Sequence, residues 1–120
     1  MKIGFYAFTG TGNTRRVCGM LAEELQNIGV NAEVNLIRAG QTLPDPEEYD
    51  AVVAAFPVHG FNAPTAMLDF LKGLPVCAVG EEKPAWILRV SGEPLGLNHA
   101  AGILPKRILS ARGYAVKGEF

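Results

Sequence analysis

The chain is short of cysteine: among 120 residues only Cys18 and Cys77 occur. Two thiols that far apart have neither zinc nor iron–sulfur spacing, so no metal centre can be built on cysteines alone. Cys18 falls near the start of an expected helix, where the dipole could activate a thiol, yet a small buried helix residue is the better reading. Cys77 carries no signal. Charge of one sign is also lacking, since 11 basic and 12 acidic residues leave a net charge of -1. No basic cluster is longer than Arg15-Arg16, so there is no electrostatic footprint for nucleic acid. Long hydrophobic runs are missing as well. The longest, Ala51 to Val58, falls well short of the roughly 20 residues that a spanning helix needs. The N-terminus leads straight into an apolar segment with no room for a signal peptide, so a cytoplasmic location and no membrane contact are expected. At 48% hydrophobic and 19% charged, the composition suits one compact domain.

Two familiar glycine loops are absent too. The dinucleotide fingerprint would need a third glycine where Arg15 stands, and Arg15 would block close approach of helix to strand. The nucleoside-triphosphate loop needs Gly-Lys followed by Ser or Thr, a triplet found nowhere in the chain. What the sequence does have is Thr9-Gly10-Thr11-Gly12-Asn13-Thr14, placed between the apolar run Ile3 to Ala7 and an amphipathic pattern with Val17, Leu21, Leu25 and Ile28 on one face. A helix start offers free N–H groups and partial positive charge, glycines let the backbone close in, and hydroxyls can donate. Such a loop suits a single terminal monophosphate held without lysine or metal, and flavin mononucleotide (FMN) is a ligand of that kind. A simple Thr/Gly turn capping the helix is the plainer alternative.

An alternating β/α rhythm runs along the chain. Strands are expected at about Lys2 to Phe8, Ala32 to Arg38, Ala51 to Phe56, Ala85 to Val90 and Tyr114 to Phe120. Helices are expected from Thr14 to Ile28 with Gly29 as stop, from Pro64 to about Gly73 with Met67, Leu68, Leu71 and Leu74 inward, and from about Ile103. The last has Leu104, Ile108 and Ala111 as its apolar face and Gly113 as its stop. The segment from Ala39 to Tyr49 reads as loop with at most one short turn. Ala51 to Phe56 is apolar throughout, as for a central strand buried on both faces. Helical crossovers between strands imply an α/β doubly wound parallel sheet of order 2-1-3-4-5, whose ligands bind outside the C-terminal strand ends.

Thr9 to Thr14 resembles the flavodoxin phosphate signature. Tyr49-Asp50, Pro57-Val58-His59-Gly60-Phe61-Asn62-Ala63-Pro64 and Ser91-Gly92-Glu93-Pro94-Leu95 resemble one branch of that family, the flavodoxin-like domain fused ahead of a two-cluster ferredoxin segment. The resemblance spans Met1 to Phe120. It implies an FMN-binding electron-transfer module with a ferredoxin-type iron–sulfur partner or fused domain. Thr9, Gly10, Thr11, Gly12, Asn13 and Thr14 would hold the phosphate. Pro57, Val58, His59, Gly60, Phe61 and Asn62 would lie against the flavin ring, with Val58 and Phe61 as apolar cover and Gly60 as the peptide that can reorient. Ser91, Gly92 and Glu93 would approach the pyrimidine edge. A ring among apolar loops beside a phosphate dianion resists further negative charge, which implies a low-potential one-electron carrier.

Plainer readings stand beside these. His59 could pack on the surface, His99 could face solvent, Glu93 could only fix its turn, Arg15 and Arg16 could simply be solvated, and Trp86 reads as core rather than a stacking residue. No general base, nucleophile or metal constellation is visible, so no catalytic residue is assigned. The chain is nearly neutral and lacks an aromatic in Ser91 to Asn98, unlike many flavodoxins. It also ends at the fifth strand, where the family continues into a last helix. One sheet face is therefore expected to be underfilled, with homodimerisation as one consequence. An FMN-dependent NAD(P)H:quinone-type oxidoreductase and a cofactor-free interaction domain remain alternatives.

Overall fold

The computed structural model describes residues 1–9, 12–38, 41–58, 63–78, 80–90 and 99–120. Five strands, β1 (Lys2–Ala7), β2 (Asn31–Leu36), β3 (Ala51–Pro57), β4 (Lys83–Val90) and β5 (Tyr114–Glu119), alternate with helices α1 (Asn13–Asn27), α2 (Thr65–Lys72) and α3 (Ile103–Ala111). All pairings are parallel and the order is β2-β1-β3-β4-β5, as the β/α rhythm implies. A short 3-10 turn at Pro46–Glu48 fills the loop before β3, held by a capping box between Asp45 and Glu48. A second, at His99–Gly102, runs into α3 and was not foreseen.

Strand alternation sorts the core into two layers. Ile3, Phe5, Ala7, Val53, Ala55 and Leu88 face α1, whereas Tyr6, Val52, Ala54, Phe56 and Ile87 face α2 and α3. β4 begins two residues before the expected Ala85. Pro84 stands ahead of the first β3 partner, Ala85, where its missing N–H does not interrupt that ladder. Lys117 is the extra residue where the β4–β5 register slips between Ala85–Val116 and Trp86–Gly118.

Two helix faces differ from expectation. The buried stripe of α1 is Thr14, Cys18 and Ala22, while Leu21 and Ile28 are exposed. Small residues let the helix axis sit close to the sheet, and the larger Val17 and Leu25 pack along its flank. In α3 the buried residues are Pro105 and Leu109, preceded by Ala101, whereas Leu104 and Ala111 are exposed and Ile108 is half-buried. Pro105 in the first turn loses no intrahelical bond, so its ring can serve as core. In α2, Met67, Leu71 and Leu74 are buried and Leu68 is partly so, as expected.

The α1 face of the sheet carries an apolar groove of about 250 Å³ lined by Ile3, Phe5, Leu21, Val53, Trp86 and Phe120, among others. An underfilled sheet face is expected from the sequence without a side being assigned, and the groove lies on the α1 side. Trp86 is half-buried there, packing against Gly118 four residues short of the strand's end at Val90.

Candidate functional site

Three backbone bonds align the C-terminal ends of the strands. Ile37 donates to the Ala7 carbonyl at 2.8 Å, Phe8 to Ala55 at 3.0 Å and Val58 to Val90 at 3.1 Å. The loops that follow β1, β3 and β4 therefore leave the sheet from neighbouring points on one edge. Of the residues expected to form the site, Thr9, Gly12, Asn13, Thr14, Pro57 and Val58 are described, and all lie at this edge. Gly10, Thr11, His59, Gly60, Phe61, Asn62, Ser91, Gly92 and Glu93 lie outside the described residues.

The turn from β1 into α1 has a specific shape. Gly12 occupies the N-cap with φ 90° and ψ -8°, a left-handed conformation that glycine adopts without strain. Its N–H donates to Thr9 Oγ1 at 2.8 Å, closing the loop, and its carbonyl accepts from Arg16 N at 3.0 Å, opening the helix. Among the described residues no side chain caps α1, and no acidic residue occupies its first turn. The helix start thus keeps free amides and an uncompensated partial positive charge. Nothing stands within 4 Å of where a Gly12 side chain would begin.

Thr14 decides what this geometry can hold. It is 1% exposed, and among the described residues it is the one buried polar residue besides the tyrosines and its Oγ1 has no hydrogen-bond partner. A buried hydroxyl with nothing to bond costs stability, so its retention at an uncapped helix start is what an anion-binding turn would require. Thr9 and Thr14 therefore divide the labour, one shaping the turn and the other offering a donor.

None of the groups with shifted pKa is a residue expected to hold the ligand. Burial, reinforced by neighbouring tyrosines and acids, raises the Tyr6 phenol, and burial likewise raises Tyr114. Burial also pushes the Cys18 thiol up to about 11, matching its reading as a small buried helix residue. At the strands' N-terminal half, Tyr49 donates to Glu33 Oε2 at 2.8 Å and accepts from Asn35 Nδ2 at 3.0 Å. Among the described residues no group of three or more His, Cys, Asp or Glu could hold a metal ion, and no helix is long and apolar enough to cross a membrane.

Sequence reading did not single out Arg38, Lys106 and Arg107, which the fold brings to the same end of the molecule as Arg15 and Arg16. Their position just past a strand or early in a helix was the available signal.

No family model and no curated protein matches the sequence. Solved structures do. The chain superposes on a Streptococcus pneumonia TIGR4 flavodoxin with TM-score 0.72 and 19% identity, covering 99% of this chain and 83% of that one. The fold is flavodoxin-like. A Fusobacterium nucleatum flavodoxin bound to flavin mononucleotide gives TM-score 0.72 at 14% identity, over 96% of this chain and 68% of that one. An NAD(P)H:quinone oxidoreductase from Methanothermobacter marburgensis gives 0.71 at 16%, over 100% and 81% respectively. In a flavodoxin-like sheet of this order the edge carrying Gly12, Val58 and Val90 is where ligands bind.

Proposed function

We propose that the chain binds FMN at the C-terminal sheet edge and acts as an electron-transfer module. Thr14 carries the proposal: a buried, unpartnered hydroxyl stands in the first turn of an uncapped helix that follows a left-handed glycine. Phosphate is a ligand that satisfies such a donor set. The residues present fit FMN, because Thr14 Oγ1, the first amides of α1 and the remaining hydroxyl proton of Thr9 can all donate to a terminal monophosphate. The FMN-bound fusobacterial flavodoxin, which has the same fold, supports this choice of ligand.

When bound, FMN supplies one-electron chemistry through its flavin ring. The protein's part is to hold, cover and orient. Gly12 lets the backbone approach the phosphate, Thr9 fixes the turn, and the half-buried Val58 offers apolar surface beside the end of β4. Gly10, Thr11, Asn13, Pro57, His59 to Asn62 and Ser91 to Glu93 would complete the pocket. A ferredoxin-type iron–sulfur protein or a domain fused to this chain is the proposed partner, and the fusion-branch motifs support that reading.

A second reading is an FMN-dependent NAD(P)H:quinone-type oxidoreductase, favoured by the structural likeness to the Methanothermobacter enzyme. Titrating FMN with the purified chain and following flavin fluorescence tests both readings. Stoichiometric quenching is expected, whereas unquenched FMN with folded protein would leave only a cofactor-free interaction domain. Steady-state NAD(P)H oxidation by the flavin-loaded chain would select the second reading over the first.

A further inference from the structure

The net charge of -1 conceals an uneven distribution of charge along the strand direction. Asp45, Glu47, Glu48, Asp50, Glu81 and Glu82 all precede β3 or β4 and so collect at the N-terminal edge of the sheet, where Lys2, Lys72, Lys83 and Arg112 offset part of their charge. The opposite edge is basic. Arg15 and Arg16 occupy the first turn of α1, and Arg38 lies just past β2. On the other face of the sheet, Lys106 and Arg107 fall within about 6 Å of the start of α3, taking a rise of about 1.5 Å per residue. All five side chains are exposed and make no ion pair among the described residues. Of the described carboxylates, Glu119 at this end is engaged by Arg89 at 3.8 Å, and Asp69 lies as far into α2 as Arg107 does into α3. Glu93 belongs to the loop after β4, outside the described residues. Ile103 and Leu104, 48% and 44% exposed, stand beside Lys106 and Arg107 on α3 and add apolar surface to the cationic rim.

An excess of unpaired cations at one end, with exposed aliphatic residues beside Lys106 and Arg107, resembles the polar rim of a docking surface. We infer that this rim, from Arg38 past Arg15 and Arg16 on one face to Lys106 and Arg107 on the other, docks an acidic partner protein over the proposed cofactor edge. The inference rests on the electron-transfer reading for its purpose, but the charge layout stands without it. A partner steered by this field presents carboxylates, and a basic partner is repelled from the edge where electrons would pass.

Amide shifts of the isotope-labelled full chain test the inference at low ionic strength, with and without FMN. The probes are an acidic two-cluster ferredoxin, basic cytochrome c and a short DNA oligonucleotide. The ferredoxin should shift the amides of residues 15, 16, 38, 103, 104, 106 and 107, and its affinity should fall about tenfold or more in about 0.5 M salt. The double variant K106E/R107E, remote from the phosphate turn, should weaken it similarly while leaving FMN affinity unchanged. Ferredoxin shifts elsewhere or none, an unaltered affinity in the variant, cytochrome c binding to the rim, or tighter binding of the oligonucleotide would each overturn the inference. Failed FMN titration with ferredoxin still on the rim would sink the electron-transfer reading alone.

Discussion

Gly12 gives its amide proton to Thr9 Oγ1 at 2.8 Å, so the oxygen of the first threonine already helps to shape the turn, while Thr14, two residues beyond the glycine, keeps a buried hydroxyl with no partner among the described residues. The two threonines should therefore respond oppositely to substitution. Thr14→Val removes an unsatisfied buried group without changing the side chain's shape, so the ligand-free chain should gain about 1 kcal/mol in urea denaturation. FMN affinity should fall about tenfold or more, because a hydrogen bond to a charged phosphate is lost. Thr9→Val should destabilise the free chain instead. A Thr14→Val chain that binds FMN normally would remove Thr14 from the cradle.

The strand order, the crossovers and the edge carrying the loops were legible because buried parallel strands read as apolar runs and glycines punctuate the helices. Ala51 to Phe56 is the clearest case, and Gly29 and Gly113 both take positive φ past helix ends as expected. Helix faces were less legible. In α1 the larger Leu21 outweighs Cys18 in any hydrophobic pattern, yet the small residues face the sheet because they allow close approach. In α3, the buried ring of Pro105 gave no sequence signal. Charge segregation was invisible in a linear count, since the sequence distance between Arg16 and Lys106 conceals their shared end of the fold.

Gly4 is required by a close approach rather than by its backbone angles. The Tyr49 ring lies where a Gly4 side chain would begin, and that ring packs edge-on against Tyr6 at a centroid distance of 6.0 Å. Gly4→Ala must displace the ring and disturb its bonds to Glu33 and Asn35. A loss of about 1–3 kcal/mol is expected from chemical denaturation. Stability equal to the parent chain would show that the ring is not held there.

Glu33 titrates below the usual carboxylate range, chiefly because the Tyr49 hydroxyl donates to it and secondarily because Lys2 lies 3.4 Å away, with partial desolvation opposing both. A depressed folded-state value stabilises the fold above the unfolded carboxylate's pKa, and that contribution is lost as pH falls through the lowered value. Tyr49→Phe removes the larger cause, so Glu33 should titrate at higher pH in carbon-detected NMR, and added salt should shift it upward again by screening Lys2. An unchanged titration in the variant would mean that the phenol does not bond the carboxylate in solution.

Cys18 and Thr14 occupy the same buried stripe of α1 one turn apart, which makes the thiol a reporter on the proposed site. Burial leaves Cys18 protonated at neutral pH and out of reach, so in a Cys77→Ser background a thiol reagent should label it only when α1 lifts from the sheet. Anything that binds the closed helix start lowers that opening population in proportion to its occupancy. FMN at about 100 times its dissociation constant should thus slow labelling about 100-fold where opening is the pre-equilibrium step. Riboflavin, which lacks the phosphate, should protect much less. Rapid labelling of the native chain would contradict the burial of Cys18, and equal protection by riboflavin and FMN would show that the helix start does not grip the phosphate.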